Sequence, residues 1–253
     1  LPIYVGPLIG VVGVVYVVMY LISLVLVFSG LKYRLQKVRF TLLKKILKHS
    51  MGFLSIGMVN IILLPFSRYL IAAGSNGGVA HAIFDVAIKI AIAATNMLMV
   101  FAAPLYGLFS SVGRGEERKI KALVVKYSKV ITLLYVLGCM LFFLVGPSIC
   151  SILLSENGED LYNVSLVLLV SLGATACSEP AVRALWARGE VFLCARIKFL
   201  LIIFNLILLY FLKELPLLYH ISFAYAIPFV VVSIVYILFF FKKWMLYDNF
   251  RVG

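Results

Sequence analysis

The sequence predicts an all-α integral membrane protein with about seven transmembrane helices. Three observations predict it. The 253 residues are 64% hydrophobic, whereas an ordinary soluble domain is roughly 45–50% apolar. The mean hydropathy is +1.12. The basic residues gather in alternate short connections between apolar runs, the pattern of the cytoplasmic side of a membrane protein. That placement also turns the net charge of +13 away from a nucleic-acid partner.

The apolar runs give seven spans in order: Ile3–Ser29, Met51–Ala72, Val79–Val112, Val130–Leu154, Tyr162–Ala184, Ile197–Leu212 and Leu217–Phe241. A membrane helix needs about 17–25 apolar residues. The third run is long, at about 50 Å as one helix against a hydrocarbon core of about 30 Å. It must tilt, bend at Pro104 or project from the bilayer. The sixth run is short.

The connections set an orientation. Leu31–His49 holds seven Lys/Arg and no acid, and Gly113–Lys129 six Lys/Arg and two Glu. Arg183–Lys198 holds four basic residues and one Glu, and the tail from Lys242 three basic residues and one Asp. These hold 20 of the 23 Lys/Arg. Of the intervening turns, Ala73–Gly78 is uncharged and Ser155–Asp160 carries three acids and no base, while Lys213–His220 has one charge of each sign. The basic connections are predicted to be cytoplasmic, with Leu1 outside and Gly253 inside the cell membrane. The chain opens on Leu rather than Met and has no basic region ahead of its first apolar run. This reads as a fragment of a longer protein and not as a signal peptide.

Leu31–His49 alternates its cations with Leu, Val, Phe and Ile. It is read either as an amphipathic helix on an anionic leaflet or as a solvated topology signal. Pro65, Pro104, Pro147, Pro180 and Pro228 lie within or near spans, where prolines are tolerated and supply bends. Cys139, Cys150, Cys177 and Cys194 form no CxxC pair and read as buried small residues.

Candidate functional residues cluster between Met51 and Val112. Charge in hydrocarbon is costly, so it faces a partner, a cavity or the interface. Arg68 lies about one turn from the outer end of the second span, and Asp85 a similar distance into the third. They can pair at the mouth of a cavity, or Arg68 can snorkel to the interface. Lys89 is one turn deeper and stands i,i+4 from Asp85, the spacing of an intrahelical ion pair. His81, Asp85, Lys89 and Asn96 share a stripe roughly 80° wide. The stripe reads as the lining of a pathway. A purely structural Asp85–Lys89 pair, an interfacial His81 and a hydrogen-bonding Asn96 are the plainer alternative. A second polar stripe, Ser171, Thr175 and Ser178, is flanked by Glu179 and Arg183, again i,i+4. Hydroxyl and small residues at this spacing pack helices more often than they bind ligands, and Glu179 and Arg183 lie where snorkelling to the cytoplasmic interface is easy.

Enzymatic signatures are absent. His49, His81 and His220 are far apart, and no HExxH, GxSxG, Walker loop or DxD run occurs. No extramembrane connection is long enough for a catalytic domain. The sequence predicts no enzyme, no catalytic residues, no metal site and no cofactor.

One stretch carries a resemblance. MLMVFAAPLYGLFSSVGRGEERK at 97–119 is an apolar span ending in proline and small polar residues before a charged loop. It is followed by KYSK at 126–129, VGPSICSILL at 145–154, RALWARGE at 183–190 and FNLILL at 204–209. This pattern resembles the polysaccharide-exporter branch of the multidrug/oligosaccharidyl-lipid/polysaccharide (MOP) superfamily, the Wzx-like O-antigen flippases, over most of Leu42–Phe241. The resemblance implies two six-helix lobes related by a pseudo-two-fold along the membrane normal. Residues 1–30 would then be the last helix of a truncated N-lobe and 31–49 a basic cytoplasmic connection. Residues 50–241 would be a six-helix C-lobe, and 242–253 a cytoplasmic tail. The second and third spans would line a central cavity whose other half is not in this sequence. The implied function is flipping of a polyprenyl-pyrophosphate-linked oligosaccharide across the cytoplasmic membrane, with the lipid-linked glycan, the bilayer and the polysaccharide polymerase or assembly machinery as partners. The alternatives are another transporter of that superfamily, such as a peptidoglycan-lipid flippase or drug antiporter, or a non-transporting membrane partner or enzyme of glycan synthesis.

Overall fold

The computed structural model describes residues 40–74, 78–113 and 116–249. The predicted first span, Ile3–Ser29, lies outside them. The chain divides into two compact units, 1–46 and 47–253. Of the first unit only residues 40–46 are described, as the opening turns of a helix. The second unit is a bundle of helices.

The described residues form long helices joined by very short turns. These are α1 (Phe40–Gly74), α2 (Gly78–Ala102), α3 (Leu105–Ser111), α4 (Glu117–Leu153), a 3-10 turn at Ser155–Asn157, α5 (Gly158–Ala187), α6 (Val191–Phe211) and α7 (Leu217–Asn249). Six segments among them are long and apolar enough to cross a membrane: Ser50–Gly74, Gly78–Ser111, Glu117–Leu153, Ser155–Ala187, Val191–Phe211 and Leu217–Lys243. The chain is a multi-pass, all-α membrane protein.

Several helix limits differ from those the hydropathy predicts, for one reason. Hydropathy falls where charges begin, but a helix need not stop there, because Lys, Arg, Glu and Leu are good helix formers. The predicted connection 113–129 is therefore mostly helix, since α4 begins at Glu117. Residues 40–49 of the predicted basic connection are helical, as the opening turns of α1, and the rest of that connection lies outside the described residues. The connection predicted at Arg183–Lys198 shrinks to three residues, with Arg183 in α5 and Lys198 in α6. The third span does break at Pro104: α2 stops at Ala102 and the short α3 starts at Leu105. The other four prolines lie inside continuous helices.

α5 is the axis of the bundle. It packs against α2, α3, α4 and α7, and its buried residues lie on every side of the helix. Helices in a membrane associate through close van der Waals packing, which small residues permit. Gly173 shows the closeness, since an added Cβ there would fall within the ring of Tyr135 on α4. α4 forms the opposite extreme. Leu133, Leu137, Met140, Leu141, Phe143 and Leu144 are all exposed, as on a helix facing lipid.

The two ends of the bundle are distinct. At one end Arg188 donates to the Gly113 carbonyl at 3.3 Å, Lys243 pairs with Glu190, and Phe53 meets Trp186 edge-on at 4.9 Å. The α5–α6 turn closes here through Gly189, at φ 83°. Gly189 donates to the Trp186 carbonyl and Glu190 to that of Leu185, a helix stop that needs the left-handed conformation glycine adopts freely. At the other end Tyr219 donates to Asp160 at 2.7 Å and Gly74 lies against Leu217. The basic connections within 113–249 thus share one end, and the acidic turn 155–160 lies at the other.

Candidate functional site

α1 and α2 follow one another across three residues, and Arg68 of the first comes beside Asp85 of the second. Arg68 Nη2 lies 2.5 Å from Asp85 Oδ1, and Lys89 Nζ lies 2.9 Å from Asp85 Oδ2. One carboxylate therefore holds two cations, one from each helix, and the group carries a net single positive charge.

The three side chains differ in exposure. Asp85 is 24% exposed, Arg68 35% and Lys89 70%. The reason is the helix face. α2 buries Ile83, Phe84, Ala87, Ile88 and Ala91 against the bundle, so Asp85 sits on the border of that face and Lys89 on the open one. Phe84 in turn meets Tyr225 of α7 edge-on at 6.2 Å, which fixes the rotation of α2. Asn96 also lies on the open face, and Asn60, in the middle of the α1 span, is exposed. His81 is half-buried and its Nδ1 is buried without a hydrogen-bond partner. Among the described residues, no hydrogen bond or ion pair joins His81 or Asn96 to the Arg68–Asp85–Lys89 group. The polar stripe is thus one ion-paired cluster with two further polar groups on the same helix. A cationic group with a long, flexible amine on an open face can attract an anion, and the carboxylate can satisfy both cations when no anion is present.

The second stripe has a different character. Ser171 donates to Leu168 O, Thr175 to Ser171 O and Ser178 to Thr175 O, all within α5. Ser171 and Ser178 are buried. These hydroxyls satisfy themselves on their own backbone and serve as small packing groups. Glu179 and Arg183 do meet, with Arg183 Nε donating to Glu179 Oε1 at 2.6 Å. The expected snorkelling does not extend to Glu179, which is only 6% exposed. α6 and α7 cover it.

That cover brings in a residue at the very start of the sixth predicted span, where the sequence counts it among the charges of the preceding connection. Lys198 of α6 is 8% exposed, with Nζ 5.1 Å from the centre of the Phe229 ring on α7 and within electrostatic reach of Glu179. Arg183 stacks over Trp186 at 4.8 Å. Tyr236 donates to the Cys194 carbonyl at 2.7 Å. Glu179 and Lys198 are buried and Arg183 is a quarter exposed, so the three form a largely covered charged cluster between α5, α6 and α7, near the basic end. Asn205 is a further polar group that the two stripes leave out, though the sequence carries a signal for it. It stands alone in an apolar run, where a polar group needs a partner, and it donates to the Ala224 carbonyl of α7 at 2.8 Å.

Among the described residues, no three His, Cys, Asp or Glu side chains converge as metal ligands. No known family model, curated protein or solved structure matches this chain.

Proposed function

We propose that this chain is the C-terminal part of a flippase, including its whole C-lobe, that moves a polyprenyl-pyrophosphate-linked oligosaccharide across the cytoplasmic membrane by alternating access. The observation that carries this reading is the Arg68–Asp85–Lys89 cluster, with Lys89 on an open helix face. A pyrophosphate needs cations that are available to it, and a membrane helix exposes an amine only where water, a cavity or an anion meets it. Arg68 and Lys89 would attract the pyrophosphate. Asp85 would hold Lys89 when the site is empty, or take part in ion coupling. His81 and Asn96 would line the same path. The open faces of α1 and α2 would meet a second lobe across a central cavity, and rocking of the lobes would expose that cavity to each side in turn. The basic end of the bundle would face the cytoplasm.

The test is made in the full-length protein at normal expression. Arg68→Gln and Lys89→Gln are introduced singly and together, and surface glycan is measured beside the pool of lipid-linked precursor. The reading expects surface glycan to fall and precursor to accumulate, most strongly in the double variant. Unchanged export would overturn it and leave the cluster as a tie between α1 and α2.

A further inference from the structure

We propose that the groove between α4 and α7 at the basic end of the bundle binds an anionic phospholipid. Its phosphate would be held by Lys126 and Lys129, and an acyl chain would lie along Val136 and Ile237.

The site is built from two adjoining regions that share Val125 and Lys129. One is an apolar groove of about 480 Å³, floored by Val124 and Ala181 and walled by Leu133, Val136, Ile237 and Phe241. The other is a shallow, open basic surface along the first turns of α4, formed by Arg118, Lys121, Lys126 and Lys129. At about 100° per residue, the residues from Arg118 through Lys129 to Val136 stay on one face of α4. That face is cationic over its first three turns and apolar beyond, and Lys129 stands at the change. Lys126 and Lys129 are both exposed.

A cationic helix start by itself only reports topology. Here the same helix face runs from amines directly into an apolar groove along the apolar length of α4, and a phospholipid has those two halves in that order. Long lysine side chains can keep their stems against the groove and their ammonium groups at headgroup level. The basic end is the one whose connections carry the positive charge, and anionic lipids concentrate in the leaflet such segments face. A free phosphate would satisfy the amines but not the groove, and a zwitterionic lipid the groove but not the net charge. This inference is independent of the flippase reading, because the groove lies on α4 and α7, away from Arg68 and Lys89.

The test uses the intact chain in detergent and native mass spectrometry, following retained phosphatidylglycerol and phosphatidylcholine. We expect phosphatidylglycerol to be retained preferentially. Two lysines at a membrane surface correspond to roughly a tenfold effect or more, so K126Q/K129Q should lose phosphatidylglycerol by about that factor. V136W, which fills the groove, should also release it. K213Q, at the opposite end, should change nothing. Thermal unfolding of each variant verifies that it is folded. Inorganic phosphate at millimolar concentration should not displace the lipid. Equal retention of the two lipids, full retention by folded K126Q/K129Q, or displacement by phosphate would each overturn the proposal.

Discussion

Arg68 and Asp85, on the successive helices α1 and α2, meet at 2.5 Å. Both are only partly covered, so the pair ties the hairpin without being locked in a dry core. Membrane double-mutant cycles on polar contacts average about 0.6 kcal/mol, and exposed ion pairs fall in the same range. Arg68→Asp should therefore lower thermal stability modestly, and Asp85→Arg by more, because it leaves Arg68 and Lys89 without their shared carboxylate and adds a third cation. The swapped pair R68D/D85R should recover about 0.5–1 kcal/mol of coupling. Melting of the purified variants in detergent measures this. Additive losses would mean that the two groups do not interact.

The buried cluster behaves differently. Glu179 faces two cations, with Arg183 in contact and Lys198 above Phe229. Removing one partner of a buried pair leaves uncompensated charge and costs about 3–5 kcal/mol. Glu179→Gln should be strongly destabilising, at about 3 kcal/mol or more. Lys198→Met should be neutral within about 1 kcal/mol, or stabilising, because Arg183 still balances Glu179 and the methionine fills the same space. Denaturant unfolding of both variants decides it. A Lys198→Met loss as large as that of Glu179→Gln would show that the lysine is an obligatory partner.

Packing around the central helix supplies a sharper test. Gly173 lies against the face of Tyr135, with no room for a methyl group. Overpacking of this kind typically costs about 1–3 kcal/mol. Gly173→Ala should therefore destabilise the bundle by about 2 kcal/mol. G173A/Y135L, which removes the ring, should recover a large part of that. If Gly173→Ala unfolds like the parent, α4 and α5 are not in close contact here.

These sites are not equally visible in the sequence. The Asp85–Lys89 and Glu179–Arg183 pairs are i,i+4 on helices that hydropathy marks unmistakably, so spacing alone brings them together. Arg68 falls near Asp85 because the α1–α2 turn is short. Lys198 is not legible, because a lysine at the edge of an apolar run reads as a loop charge until the helix is known to begin at Val191. The open face beneath Lys89 and Asn96 cannot be read either. A stripe of polar residues looks the same whether it points into the bundle or away from it. Only the contacts of Phe84 and its buried neighbours set the rotation. The full length of α4 is hidden as well, because apolar content measures the affinity of a segment for hydrocarbon, not where its helix ends.

Orientation can be tested directly, because the two ends of the bundle hold well-separated exposed side chains. Glu116 precedes α4 at the basic end, and Glu156 stands in the acidic turn before α5. Cys150 and Cys194 are buried, and Cys139 and Cys177 partly so, so a background with all four replaced by alanine should retain the fold. In that background of the full-length protein, Glu156→Cys should react in intact cells with a maleimide that cannot cross the membrane. Glu116→Cys should react only after permeabilisation. The expectation follows from the proposal that the basic end faces the cytoplasm. Labelling of Glu116→Cys in intact cells, with Glu156→Cys protected, would invert the bundle. The Arg68–Asp85–Lys89 cluster would then lie near the cytoplasmic mouth, and in the proposed flippase it would meet the lipid-linked pyrophosphate on entry rather than on release.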